Sequence, residues 1–162
     1  MGNKIFDEML SLVDDLELVP TLTSDTVVAV LEKLCNISIK EDGRVVLETE
    51  GGRVFVYYDR LPLITIRTGL NIDERDSVVQ SLRRAAYDIN RSAEMVKVFL
   101  EPEDDTIIFQ LDAMHNDASS FRQNILDYVD LLFKVMKATM DRFDQYEQER
   151  LLNYCRRQVY VA

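Results

Sequence analysis

At Arg44 the apolar residues stop recurring every three or four positions and begin to alternate. Val45, Leu47, Val54 and Val56 take every second place across residues 44–50 and 53–58, with Gly51 and Gly52 between the two runs. A period of two is that of a strand with one buried face, and paired glycines accept the positive φ of a tight hairpin turn. A phosphate cradle is the functional alternative for the glycines, but no GxGxxG spacing, no Lys-Ser/Thr pair and no helix start accompanies them. A third alternating run, 63–68, follows Pro62, a residue that can open a strand but not sit inside a central one. The segment reads as three antiparallel strands.

Helical periods bracket these strands. Over residues 4–16, Ile5, Met9, Leu12, Val13 and Leu16 recur at spacings of three and four and stop before Pro20, which describes a short amphipathic helix in an N-terminal extension. Ser24 or Asp25 can cap the first helix of the domain proper, which carries Val27, Val28, Leu31, Leu34 and Cys35 and ends near Asn36. Asp73 can cap another over 74–91, with Val78, Leu82, Ala85, Ala86 and Ile89 as its apolar stripe. Two further strands, 96–100 and 106–111, enclose an acidic tip of Glu101, Pro102, Glu103, Asp104 and Asp105. Beyond Asp117 or Ser119, Phe121, Ile125, Tyr128, Leu132, Val135, Met136, Thr139 and Phe143 keep helical spacing, and no Pro or Gly intervenes before Arg157. A helix of that length exceeds the width of such a domain, so it either breaks near Asp144 or reaches outward. The expected architecture is one α+β domain with a five-stranded antiparallel sheet. Its core spans 24–144, with an N-terminal helical extension at 1–20 and a C-terminal helical tail at 145–162.

At 162 residues the chain is long enough to bury roughly two-thirds of its unfolded surface in one core. Its 29 acids outnumber 19 Lys and Arg, for a net charge of −10, which opposes nucleic acid and anionic membrane as partners. Asp7, Glu8, Asp14, Asp15 and Glu17 interrupt the apolar residues at the start, unlike a signal peptide. Two distant cysteines, Cys35 and Cys155, fit free thiols in a reducing compartment. A cytoplasmic location is expected.

The sequence carries no signature of catalysis or of a bound metal or cofactor. A metal centre needs several ligands at workable spacing, yet His115 is the only histidine and has no cysteine near it. Beside Asn116 and Asp117 it reads as a loop or helix-cap residue. The acidic tip lacks the spaced ligands and distal Glu of a calcium loop. One histidine allows at most one nucleophile–base arrangement, and neighbouring acids such as Asp14 with Asp15, or Asp112 with Asp117, arise by chance among 29.

The second face of the sheet is more informative. If Val45, Leu47, Val54, Val56, Ile64, Ile66, Val96, Val98, Ile107, Phe109 and Leu111 face the helices, alternation sends Phe55, Tyr57, Thr65, Arg67, Lys97, Phe99, Ile108 and Gln110 the other way. A solvated sheet face is polar. Aromatic rings interleaved with Arg67, Lys97 and Glu48 instead mark an interaction surface, for a protein partner, a second subunit or the chain's own N-terminal helix. The candidate partner-binding residues are Phe55, Tyr57, Arg67, Lys97 and Phe99.

The helix-strand-strand-strand-helix-strand-strand-helix order resembles the type III secretion chaperone fold. It is most similar to the YbjN-like proteins, proposed bacterial sensory-transduction regulators. The likeness rests on the strand pair around Gly51 and Gly52, the strand at 63–68, the helix from Asp73 and the hairpin leading to Asp117. It implies a small acidic bacterial homodimer that binds segments of other proteins without cofactor, and it transfers no catalytic residue. The expected function is a non-enzymatic, chaperone-like or regulatory protein-binding module. The alternatives are a structural, self-associating homodimer and a small-ligand binder or enzyme whose site the sequence hides.

Overall fold

The computed structural model describes residues 21–71, 76–101 and 106–161. The expected helix over 4–16, the Asp73 cap and the tip at 102–105 lie outside the described residues. The first described helix, α1 (Ser24–Leu34), is capped by Thr23, one place before Ser24, the nearer of the two caps, Ser24 and Asp25, expected from the sequence. The Thr23 backbone is extended, and its hydroxyl accepts from Thr26 N at 3.2 Å while Thr26 Oγ1 accepts from Thr23 N at 2.8 Å. This reciprocal pair satisfies two amides that the first helical turn leaves unpaired.

Six strands follow rather than five: β1 (Asn36–Glu41), β2 (Arg44–Thr49), β3 (Gly52–Arg60), β4 (Leu63–Asn71), β5 (Val96–Glu101) and β6 (Thr106–Met114). They form one antiparallel sheet in the order β1-β2-β3-β4-β6-β5. The added strand, β1, leaves every residue but Ile37 exposed, so it lacks the alternating burial that betrays the others. It is an edge strand, joined to β2 by Asp42 and Gly43, and Gly43 takes φ +78°, a conformation open to glycine at little cost. The Gly43 carbonyl then accepts from Tyr58 N at 2.9 Å, which ties the turn to β3.

Helix α2 (Asp76–Ser92) lies between β4 and β5, and helix α3 (Ala118–Val161) closes the chain. Asp117 caps α3 by accepting from Ser120 N at 2.7 Å. The three described helices share one core with the sheet face of Val45, Leu47, Val54, Val56, Ile64, Ile66, Val96, Val98, Ile107, Phe109 and Leu111. That is the inward face expected from alternation. Leu82, Ala86 and Ile89 of α2 and Phe121, Ile125, Leu132 and Val135 of α3 meet it.

Helix α3 does not break near Asp144. It runs unbroken for 44 residues, about 65 Å at 1.5 Å per residue, so of the two expected outcomes it is the one in which the helix reaches outward. Past the core, Tyr146 hydrogen-bonds the Asp88 carboxylate, and Arg84 stacks over the Tyr146 ring at 4.0 Å. Leu151 and Leu152 are more than half exposed. Among the described residues no helix is long and apolar enough to cross a membrane.

Candidate functional site

The register of the sheet sets the outer face residue by residue. Phe55 of β3 lies opposite Val46 of β2 and Arg67 of β4, Arg67 opposite Gln110 of β6, and Gln110 opposite Lys97 of β5. Tyr57 pairs with Thr65 and Phe99 with Ile108 on the same face. The five candidate residues therefore share one surface, with Lys97 exposed and the other four half-buried. None of Phe55, Tyr57 or Phe99 packs against the core that the helices share.

Arg67 is the centre of this surface. Its guanidinium carbon lies 5.7 Å from the Tyr57 ring centroid and 5.8 Å from that of Phe99. The two rings come from strands on either side of β4. Each such contact contributes about 0.5–1 kcal/mol at an exposed site. Arg67 Nε donates to Gln110 Oε1 at 2.6 Å. Gln110 Nε2 in turn donates to Asp112 at 3.1–3.2 Å, and Thr65 Oγ1 bonds the same carboxylate at 2.7 Å. The amide of Gln110 is thus fixed at both ends, and it holds the guanidinium in place. Among the described residues no carboxylate lies within ion-pair distance of Arg67 or of Lys97.

Beside Arg67 the face is concave, a depression of about 610 Å³ lined by Arg44, Arg53, Phe55, Tyr57, Arg67 and Ile108, among others. Lys97 and Phe99 lie outside its lining. Arg44 reaches over the Phe55 ring at 5.6 Å and bonds Glu41 at 2.8 Å. Arg53 bonds Glu48 at 2.8 Å. Tyr57 first, and Glu41 second, favour the charged form of Arg44. Neither Arg44 nor Arg53 is among the five residues singled out from the sequence. The signal that finds them is parity, because 44 and 53 share the odd or even phase of the outward positions in their strands.

The only histidine lies elsewhere. His115 is 5% exposed, with Nδ1 2.7 Å from Ser120 Oγ and Nε2 2.8 Å from Tyr128 OH. It is a loop residue, as expected, but a buried one that ties the end of β6 to the start of α3. Both ring nitrogens are occupied by hydroxyls, so no carboxylate orients the imidazole as a nucleophile-activating site requires. Burial lowers its pKa, with Asp117 opposing the shift. Burial also raises the pKa of the half-buried Cys35 thiol, which keeps it from being a ready nucleophile. Among the described residues no cluster of three His, Cys, Asp or Glu is placed to hold a metal ion.

No protein-family model matches the chain, and no curated protein matches it. Several solved chains resemble it, among them the following two. YbjN, a candidate transcription regulator from E. coli, superposes with a TM-score of 0.57 at 17% identity, over 82% of this chain and 96% of that one. An uncharacterised protein from Methanothermobacter thermautotrophicus does so with a TM-score of 0.56 at 9% identity, over 76% and 98%. The chain has a YbjN-like α+β fold, built on a six-stranded sheet.

Proposed function

We propose that the protein is a non-enzymatic binding module, chaperone-like or regulatory, that takes a segment of a partner protein on the outer face of its sheet. The observation that carries this reading is the face itself. Phe55, Tyr57 and Phe99 sit half-buried outside the shared core, around a guanidinium that forms no ion pair among the described residues. Aromatic and arginine side chains are the residues that dominate protein–protein contact energies. The YbjN-like fold, shared with a candidate regulator, is consistent with that role. Neither a cofactor nor a reacting group enters the reading.

Replacing Phe55 and Phe99 with Ser tests it. A tagged wild-type protein is expected to retain a specific partner from its host that the double variant, still folded by circular dichroism, does not. Equal retention by the folded variant would remove the outer face from the function. The exposed Leu151 and Leu152 on the overhang of α3 favour a second reading, a homodimer held by its terminal segments, and solution mass decides between the two.

A further inference from the structure

We infer that the outer face selects an acidic segment, and that Arg67 is the residue that receives its carboxylate. This rests on the reading of that face as a docking surface and adds the chemistry of the occupant. The argument is one of charge complementarity. The chain carries a net charge of −10, yet Arg44, Arg53 and Arg67 line one depression against the single acid Glu101, and Lys97 stands on the neighbouring strand pair. Glu41 and Glu48 partly neutralise Arg44 and Arg53. Arg67 and Lys97 have no such partner among the described residues, and the acid closest in the Arg67 network, Asp112, is engaged by Thr65 and by the Gln110 amide.

Arg67 is also oriented in advance. Gln110 takes its Nε, and Tyr57 and Phe99 flank the guanidinium. The Nη edge is left for a carboxylate, whose two oxygens match the parallel N–H pair of a guanidinium. Such a contact loses less side-chain entropy on binding because the donor is already held. Nucleic acid would present an anion too, but the remaining surface of an acidic protein repels a polyanion. A single Asp or Glu among apolar residues suits both the Arg67 guanidinium and the rings around it.

Binding of fluorescein-labelled peptides to the full chain tests this, using a short alternating Glu-Leu peptide and its Gln-Leu counterpart. The Glu peptide is expected to bind about tenfold or more tightly than the Gln peptide, as a lost charge-assisted hydrogen bond implies, and to weaken as salt rises. Arg67→Gln should remove the preference, bringing the Glu peptide to the level at which the same variant binds the Gln peptide. Arg67→Lys, which keeps the charge and loses the fork, should fall between, and it serves as the test if Arg67→Gln does not fold. Equal binding of both peptides that the Phe55→Ser/Phe99→Ser variant loses would overturn the acidic occupant while leaving the docking face. A phosphoserine peptide bound more tightly than the Glu peptide would overturn the carboxylate in favour of phosphate. Binding of neither peptide would overturn the acidic occupant, and the docking face then stands or falls on the host-partner experiment.

Discussion

His115 shows how much one side chain can hold. Its two ring nitrogens satisfy Ser120 and Tyr128 at 2.7 and 2.8 Å, and its neutral form is the one that burial favours. The unfolded imidazole titrates near 6.5, above the folded value. The unfolded chain therefore takes up the proton first, so this contribution to stability is complete above that pH and is lost as pH falls below it. The unfolding free energy in urea is expected to decline between about pH 7 and about pH 5, and less steeply in His115→Gln. That variant should also be less stable by about 1–3 kcal/mol at neutral pH, since a glutamine cannot serve both hydroxyls in place. An unchanged slope would assign the pH dependence to other groups. The sequence makes His115 conspicuous as the only histidine, but its burial depends on how β6 meets α3, which neighbouring residues do not encode.

At the scale of elements, alternation is legible wherever one face of a strand is buried. Every residue assigned inward from β2 through β6 is buried, and the stripes of α2 and α3 meet the same core. Strand β1 escapes because an exposed edge strand needs no apolar alternation. Its trace in the sequence is the Asp42-Gly43 pair, a strong short-range hairpin signal. Gly43→Ala would put a side chain at φ +78° and 3.1 Å from Asp59 Cβ. A loss of about 1–2 kcal/mol follows from the left-handed backbone alone, with Gly43→Asn costing less, and urea midpoints of the two variants check the order. A Cβ on Gly51 would come within 2.9 Å of the Phe133 ring, so the second turn is fixed by a helix as well as by its own backbone. The cationic rim of the depression is within reach of the same parity rule, since Arg53 shares the odd phase of Phe55 and Tyr57 in β3, and Arg44 is out of phase with the inward Val45 and Leu47 in β2. What sequence could not supply is the Gln110 clamp, which depends on a register between β4 and β6.

For the whole molecule, the overhang of α3 poses the question of assembly. A body of this size is roughly 40 Å across, and the helix is about 65 Å long. The side-chain ties of α3 to α2 reach Tyr146 and Glu149, which pairs with Arg84 at 3.6 Å. Removing residues 151–162 is expected to leave the urea midpoint of the body within error. If the terminal segments build a homodimer, the same deletion halves the mass measured by light scattering. A monomer at every concentration before truncation would exclude that assembly and leave the sheet face as the site of action.

The strand order has a kinetic consequence. Strands β1 to β4 pair with their neighbours in sequence, as do β5 and β6, but β4 and β6 meet only after α2 has been spanned. The Arg67–Gln110 contact closes 43 residues of chain, an entropic cost that local hairpins do not carry. Phe55, Tyr57 and Arg67 lie on one side of that seam, and Lys97, Phe99 and Gln110 on the other. The surface exists only once the two halves have zipped together, and an occupant gripping both sides would act as a staple. Its affinity would appear as slower unfolding as well as added stability.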